Sequence, residues 1–291
     1  MFYALIAASG KRFRGWSGHL GYSVAMNSAE YEQFTATLLR TLEEDPAILG
    51  LVALGTMAEP TWRDVWSDHD FWVVTRPGRQ DGLLEDLAWL PNSDTILVRA
   101  RHGSRHYSVL YRSGHRAEFA VFDPAEAATG TVTVYRVLFD RADVAAAVAR
   151  AREHRRPQPW SEARGVFIFD NFLILLCTAV ARWQRGEQLS ARQYLDQFAL
   201  DSLLALALND SADRDPVDPR RHFERHNPRV ARMLESLACR PVPEKAIAML
   251  DLAEQTFGTT WPSYPQSRAA EVRALLAASK TGHTRSLQNR P

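Results

Sequence analysis

The sequence is poor in the features that mark secreted, membrane-spanning or polyanion-coating proteins. It contains 2 cysteines among 291 residues, Cys177 and Cys239, too few for a disulfide framework. Its longest apolar stretches run to about ten residues, short of the roughly 20 that a membrane span needs. With 35 Lys and Arg against 34 Asp and Glu, the net charge of +1 provides no overall field to attract nucleic acid. These absences favour a cytoplasmic protein with reduced thiols and with neither a membrane nor a nucleic acid as partner.

What is present is an ordinary globular composition, 46% hydrophobic and 24% charged, and a length that favours two domains. In residues 1–26 the basic side chains follow the apolar start, the reverse of a secretory signal, and we expect a loose N-terminal arm. Residues 27–155 mix helical and strand patterns, whereas residues 156–279 carry long apolar stripes at helical spacing. The sequence therefore predicts an α+β protein: an N-terminal mixed-sheet domain, then an α-helical bundle domain, then a disordered tail at residues 280–291.

Within the first domain, a helix is predicted to begin at Asn27 or Ser28 and to end before Pro46. Its apolar positions recur at spacings of three and four, at Tyr31, Phe34, Leu38 and Leu42. Strands are predicted over residues 48–54, 70–75, 95–99, 107–111, 117–122 and 131–139. Residues 82–90 have the pattern of a surface helix. The chemistry-bearing residues fall at the ends of these strands.

Two carboxylates, Asp68 and Asp70, stand two positions apart at the start of a predicted strand, so both point to the same face. Such a pair repels unless a cation lies between the two groups. Mg²⁺ suits this role because it takes one or two carboxylates together with substrate phosphates. His69, which lies between them, is predicted to point to the opposite face and to be structural.

Upstream, Gly55 and Thr56 end a buried apolar run. Glycine allows a phosphate to approach the backbone, and a hydroxyl with neighbouring N–H groups can hold phosphate oxygens. Glu118 is a lone acid in an apolar predicted strand, where a charged carboxylate is energetically costly unless it binds a cation or a proton. It is also suited to act as a general base. An Asp-X-Asp pair alone is common on surface strands and turns. The joint pattern predicts a phosphate grip beside a metal site, as nucleotidyl transfer requires.

The stretch Gly55-Thr56…Ser67-Asp68-His69-Asp70 resembles the Gly-Ser…Asp-X-Asp signature of the DNA polymerase β-like nucleotidyltransferase superfamily. Residues 117–123 resemble its third-carboxylate strand. Residues 170–177 and the turn at 185–192 are similar to helices of the two-domain antibiotic nucleotidyltransferases of the lincosamide type. The chain departs from the family pattern twice: Thr56 replaces serine but keeps the hydroxyl, and residues 59–66 lack the usual glycine, so that loop is expected to be reshaped.

The resemblance implies an enzyme, a nucleotidyltransferase that moves a nucleoside monophosphate, usually AMP from ATP, to a hydroxyl of a small molecule and releases pyrophosphate. The acceptor it implies is an antibiotic such as a lincosamide or an aminoglycoside, and hence a role in antibiotic resistance. Asp68 and Asp70 would hold Mg²⁺, as two ions, and Glu118 would be a third ligand, the general base, or both. The Gly-Thr pair and Ser67 would bind the nucleotide phosphates. A homodimer is a further implication.

Other candidates have weaker patterns. Arg182, Arg185 and Arg192 would bind the nucleotide or form a solvated helical face. Trp62 and Trp66 would stack on a base or a substrate ring, or pack in the core or at its rim. Asp170 and Asn171 would line the substrate cleft, with a buried helix contact as the alternative for Asp170. His102, His106 and His115 share no metal-ligand spacing, so no zinc is expected.

Two alternatives stay open. One is nucleotidyl transfer to a protein. The large helical domain argues against it, because such a domain favours an enclosed pocket for a small molecule. The other is a catalytically silent nucleotide-binding module on the same fold. The presence of Asp68, Asp70 and Glu118 argues against it, because a silent copy has no need to keep three costly anions together. Few acids besides Glu59, Asp64 and Asp123 lie near the predicted site, which favours an acceptor less cationic than an aminoglycoside.

Overall fold

The computed structural model describes residues 26–154, 160–208, 218–221 and 223–286, with side chains to residue 279. Residues 1–25 of the predicted arm and residues 287–291 of the predicted tail lie outside this set. The chain divides between His154 and Arg155 into two compact units. The first is built on a mixed sheet and the second is helical, which confirms the predicted fold class.

A six-stranded sheet forms the centre of the first unit. Its strands in chain order are β1 (Ile48–Leu54), β2 (His69–Thr75), β3 (Ile96–His102), β4 (His106–Tyr111), β5 (Arg116–Phe122) and β6 (Tyr135–Asp140). Their order across the sheet is β3-β4-β5-β2-β1-β6. Strands β2 and β5 are parallel, and the other neighbouring strands of this sheet are antiparallel. The β3–β4 hairpin lies between β2 and β5 in the chain and extends the sheet beyond β5.

Helices cover the sheet on both sides. In the first unit they are α1 (Ser28–Glu44), α2 (Gly55–Ala58), α3 (Gln80–Glu85), α4 (Pro124–Thr129) and α5 (Val144–His154). Asn27 caps α1 through a capping box with Glu30, as the sequence predicts for a helix that begins here. Its buried stripe is Tyr31, Phe34, Leu38 and Leu42, spaced at the helical period.

The two faces of the sheet are covered to different extents. One, which we call the back face, includes His69, Phe71 and Phe119, and these pack in one cluster with α1 and α3 or against it. The other, the front face, is covered by α4 and α5 over Trp72 and its neighbours. At the N-terminal ends of β2 and β5 the front face changes from apolar to acidic.

The second unit is helical throughout its described residues. Its helices are α6 (Glu162–Gln184), α7 (Gln188–Gln193), α8 (Leu200–Ala207), α9 (Phe223–His226), α10 (Pro228–Ser236), α11 (Val242–Phe257) and α12 (Gln266–Ser286). A π-helical turn, Tyr194–Ala199, joins α7 to α8. Of the described helices α6 alone is long and apolar enough to cross a membrane, with a mean hydropathy of 1.7. Its buried stripe, which includes Phe169 and Leu176, forms part of the core of this unit.

Several elements differ from the sequence prediction. Helix α3 ends at Glu85, where residues up to 90 were expected to be helical. The short helices α2 and α4 were not predicted, because four to six residues carry too little periodicity. Helix α12 continues to Ser286, into the segment for which a disordered tail was predicted from residue 280.

Candidate functional site

A sharp turn joins β1 directly to α2. Gly55 makes it with a φ of +49°, in the left-handed region that favours glycine. A Cβ at this position would meet nothing within 4 Å, so the space beside the turn is open. Thr56 Oγ1 is buried and makes no hydrogen bond of ordinary geometry within the described part of the chain. Such an unpaired hydroxyl is unusual and is consistent with the predicted phosphate contact.

The loop between α2 and β2 carries two exposed tryptophans and a self-contained turn. Trp62 is 36% exposed and Trp66 is 65% exposed. The Ser67 hydroxyl accepts a hydrogen bond from the Asp64 backbone N–H at 2.9 Å, and the Ser67 N–H donates to the Asp64 carbonyl at 3.2 Å. Ser67 therefore shapes the loop, and a contact between its hydroxyl and a phosphate would have to replace the bond to Asp64.

The three predicted acids lie on the front face. Asp70 is in β2, and Glu118 of β5 is its partner in the parallel register. Partners on adjacent strands project to the same side of a sheet, and Asp68, two residues before Asp70, projects to that side as well. Ser108 of β4 is the partner of Glu118 on its other flank. The register thus places Glu118 beside Asp70, and alternation places Asp68 on the same face.

A cation already lies beside one of these acids. Arg116, two residues before Glu118 on β5, places its Nη2 3.4 Å from Asp68 Oδ2. Both side chains are partly exposed, so this ion pair contributes little to stability. Its consequence is local: the guanidinium lowers the electrostatic repulsion that the clustered carboxylates would otherwise exert on one another.

The back face behind the acids holds a chain of buried hydrogen bonds. Thr35 Oγ1 lies 2.9 Å from His69 Nε2, and His69 Nδ1 lies 3.0 Å from His115 Nε2. Since the Thr35 hydroxyl donates to the Tyr31 carbonyl at 3.1 Å, it accepts from His69 Nε2–H. His69 Nδ1 is then an acceptor, and His115 donates to it. The His69 imidazole is accordingly neutral.

Burial accounts for the neutrality of these histidines. It lowers the pKa of His69 far below its usual range, and the facing His115 lowers it further. Burial, followed by the charge of Arg116, lowers the pKa of His115 to about 4. A second proton on His69 would also remove the acceptor to which His115 donates. The structural role predicted for His69 agrees with this position on the back face.

The acids fit a hard cation by the chemistry of their donors. Within the described ranges, no three His, Cys, Asp or Glu side chains are already grouped around one point where a metal could bind. Asp70 and Glu118 are nevertheless register neighbours, and carboxylate oxygens are the ligands that Mg²⁺ prefers. The strand register fixes the backbones of Asp70 and Glu118 as neighbours, and their side chains can rotate about the χ angles.

The arginines of the helical unit are engaged locally. Arg182 Nη1 lies 2.9 Å from Glu187 Oε2, and Arg185 Nε lies 2.8 Å from Glu187 Oε1. These contacts lower the pKa of Glu187, with the hydrogen bond from Arg185 as the largest cause. Arg192 is exposed on α7. The two paired arginines thus stabilise the turn between α6 and α7.

The predicted substrate-binding pair on α6 also has partners within its own unit. Asp170 forms an ion pair with Arg268 of α12. The side-chain amide of Asn171 donates to Ser202 Oγ at 3.4 Å. Both contacts tie α6 to neighbouring helices, which for Asp170 is the helix-contact alternative.

Sequence reasoning missed three residues of the site. Arg116 could have been found, since strand alternation places it on the same face as Glu118. His115 could not, because its partner His69 lies 46 positions away and no local pattern connects them. Tyr31 was expected only as part of the apolar stripe of α1, yet its hydroxyl donates to the Asp68 carbonyl at 2.9 Å.

No protein-family model matches the chain, and no curated protein matches it significantly. Solved structures similar to it over most of its length include an aminoglycoside 6-adenyltransferase from Bacillus subtilis. That match has 13% identity and a TM-score of 0.35, and it covers 88% of this chain and 98% of the other.

Two further solved structures are similar at the same level. A nucleotidyltransferase-like protein from Exiguobacterium sibiricum has 15% identity and a TM-score of 0.32, with 88% of this chain and 91% of the other covered. The CD-NTase CdnG of Bradyrhizobium diazoefficiens, in complex with GTP, has 14% identity and a TM-score of 0.24, with 87% and 85% covered. At these TM-scores the likeness specifies no detail of the site, and the function proposed below depends on the side chains themselves.

Proposed function

We propose that this protein transfers a nucleoside monophosphate, with ATP as the first donor to test, to a hydroxyl of a small molecule and releases pyrophosphate. One observation carries the proposal. Asp70 and Glu118 are register partners on the part of the front face that stays accessible, on the same face as Asp68 and next to a strand that ends in the open Gly55 turn. Acids in such numbers on a solvent-accessible face favour cation and phosphate chemistry over packing.

Each residue of the proposed site has a distinct role. Asp68 and Asp70 would hold Mg²⁺, as two ions, and a bound Mg²⁺ would neutralise the charge of the nucleotide phosphates. The open backbone at Gly55 and the Thr56 hydroxyl would bind phosphate oxygens. Ser67 is a third candidate for this contact once its bond to Asp64 is released.

The transfer itself exchanges one P–O bond for another. The acceptor hydroxyl oxygen forms a bond to the α-phosphorus, and the bond from that phosphorus to the β-phosphate bridging oxygen breaks, which releases pyrophosphate. Glu118, exposed on β5, would take the proton of the attacking hydroxyl as general base. Its place next to Asp70 also suits it to be a third metal ligand. The protein otherwise contributes position and charge.

The acceptor is proposed to be an antibiotic such as a lincosamide or an aminoglycoside, with a less cationic molecule favoured. Trp62 and Trp66 present exposed rings in the loop before the acids, where they would stack on a ring of the substrate. In the helical unit, Arg192 is exposed and free of the Glu187 ion pairs, which makes it a stronger nucleotide-binding candidate than Arg182 or Arg185. A cytoplasmic location and a homodimer remain part of the proposal.

The test is pyrophosphate release by the full chain with ATP or another nucleoside triphosphate, Mg²⁺ and a panel of lincosamides and aminoglycosides. We expect Asp70→Asn and Glu118→Gln each to lower the rate by about a hundredfold or more, since each removes an interaction made with the transition state. Two matched controls, Asp94→Asn and Glu85→Gln, change exposed acids elsewhere in the first unit and should leave the rate unchanged.

The outcomes separate the alternatives. Release that depends on one acceptor and disappears in Asp70→Asn supports the proposal and identifies the substrate class. Binding of Mg²⁺ and ATP without release on the panel would favour a protein acceptor, to be sought by transfer of labelled AMP to protein. A chain that binds nucleotide and transfers to neither would be the silent module. Absence of nucleotide binding would refute the proposal.

A further inference from the structure

One buried side chain contacts the carboxylate site from behind. Tyr31 lies on α1 and is 1% exposed. Its hydroxyl donates to the backbone carbonyl of Asp68 at 2.9 Å, the residue that leads into β2. The Thr56 hydroxyl lies close enough to that of Tyr31 to oppose the rise in its pKa that burial causes. Tyr31 therefore connects the two sequence segments, Gly55-Thr56 and Asp68–Asp70, that form the proposed site.

The Tyr31 ring is fixed on both sides. On one side it stacks on the His69 imidazole, with the ring centroids 3.7 Å apart and the planes inclined by 18°. On the other, the Arg63 guanidinium lies 4.1 Å from the ring centroid, and Arg63 is itself paired with Glu32. His69 is in turn held by Thr35 and His115. Because the Tyr31 ring is held on both faces, its hydroxyl is directed to the Asp68 carbonyl.

We propose that Tyr31 is a positioning residue of the carboxylate site, an inference that rests on the proposed function. Its hydroxyl holds the peptide at Asp68, and thereby sets the direction in which the Asp68 and Asp70 side chains leave the start of β2. Without this bond the first residues of β2 would keep their register but would lose the anchor on the carbonyl between the loop and the strand. The expected result is weaker binding of a divalent cation by an otherwise intact fold.

The chain provides a matched control in the same cluster of buried residues. Tyr111 is 2% exposed, and its hydroxyl has no hydrogen-bond partner within the described residues. Its ring stacks on His115 at 5.6 Å, so it lies in the same aromatic group as Tyr31 but contacts neither Asp68 nor Thr56. Tyr111→Phe removes the same atom from the same core without touching the site.

The experiment compares Mn²⁺ binding, followed by electron paramagnetic resonance, in the full-length wild-type, Tyr31→Phe and Tyr111→Phe chains, with melting temperatures recorded alongside. Phenylalanine has the shape of tyrosine, so both variants keep their ring packing. We expect Tyr31→Phe to bind Mn²⁺ about three- to tenfold more weakly than the wild type, the effect of one lost hydrogen bond, and Tyr111→Phe to match the wild type. Equal affinity in Tyr31→Phe and the wild type would overturn the inference.

A rescue distinguishes the hydroxyl from a general loosening of the core. A chain with 4-aminophenylalanine in place of Tyr31 keeps an N–H donor at the same ring position, and its Mn²⁺ affinity should return to within about twofold of the wild type. A loss that this donor does not restore would contradict the role given to the bond to Asp68.

The same measurements separate this inference from the proposed function. A wild-type chain that binds Mn²⁺ but releases no pyrophosphate would refute the proposed function, and the variant affinities would still decide the role of Tyr31. A wild-type chain that binds no Mn²⁺ would overturn both. If pyrophosphate is released, kcat should fall in Tyr31→Phe and recover with raised Mg²⁺, which a loss of stability alone would not produce.

Discussion

At the start of β2 the two faces of the strand differ sharply, although their residues alternate along one strand. On the back face His69 and Phe71 are fully buried, and every polar atom described on the His69 ring has a partner. On the front face Asp70 and Glu118 stand side by side in register and remain accessible. Burial on one face fixes the strand, so the other can carry mutually repelling groups without distortion. The back face contributes buried packing, and the front face carries the acids of the proposed site.

The largest expected effect is a loss of stability when a buried side chain on the back face is truncated. Phe71 is fully buried and stacks on Phe119 with the ring centroids 5.4 Å apart. Phe71→Ala should lower the free energy of unfolding by about 3–5 kcal/mol, because it removes apolar contact and leaves a cavity. Denaturant unfolding measures this loss. Glu118→Ala on the front face is the comparison and should change stability by less than about 1 kcal/mol; losses of similar size would contradict the division between the faces.

A second expected effect concerns pH and comes from the back-face histidines. Burial lowers the pKa of His115 to about 4 and depresses the pKa of His69 as well. The unfolded chain binds these protons near pH 6.5, so between about pH 6.5 and 4 the unfolded state carries more protons than the folded state. The free energy of unfolding should therefore fall as the pH falls through this window, by at most about 1.4 kcal/mol per pH unit for each histidine.

Unfolding curves at pH 7, 6 and 5 test this dependence. His115→Asn should have a shallower dependence on pH than the wild type, since one buried titrating group is gone. His102→Asn, a change of an exposed histidine on β3, should keep the wild-type slope. Parallel slopes in the wild type and His115→Asn would show that these imidazoles do not remain neutral.

The smallest expected effect concerns Trp66, in the loop that leads to the acids of the front face. Trp66 is 65% exposed, so Trp66→Ala should change the free energy of unfolding by no more than about 0.5 kcal/mol. If its ring stacks on the acceptor, the KM for that acceptor should rise by roughly two- to tenfold with little change in kcat. Steady-state kinetics with an acceptor identified by the pyrophosphate assay measure this, with Leu97→Ala, an exposed residue of the edge strand β3, as control. An unchanged KM would leave Trp66 with no part in binding the acceptor.

Local patterns predicted much of this arrangement. The apolar run that ends at Gly55 became β1 and its turn. Alternation along β2 correctly separated His69 from its acidic neighbours, because side chains on a strand change face at every residue. Glu118 was singled out because a carboxylate buried in an apolar run needs a compensating partner. The structure leaves its side chain exposed on β5, so that premise is wrong, and its role in the site stays a prediction. Each of these inferences uses residues a few positions apart.

What the sequence did not reveal depends on contacts between distant segments. That β2 and β5 pair in parallel, with Asp70 opposite Glu118, is decided by packing of the whole sheet. The same holds for the bond between His69 and His115 and for the hydroxyl of Tyr31 on Asp68. Periodicity identified Tyr31 as buried, but it says nothing about where a polar atom at the end of a buried ring will find a partner.

The crossover between β2 and β5 has a consequence for how the protein is made. The acids of β2 precede Glu118 by about 50 positions, and the entire β3–β4 hairpin is synthesised between them. A nascent chain that has completed β1 and β2 thus exposes one flank of β2 as an unpaired edge, which is prone to associate with other chains. Until β5 emerges from the ribosome, Glu118 is not yet beside Asp70, so the growing chain passes through an interval in which the proposed cation site is incomplete and one flank of its central strand is exposed.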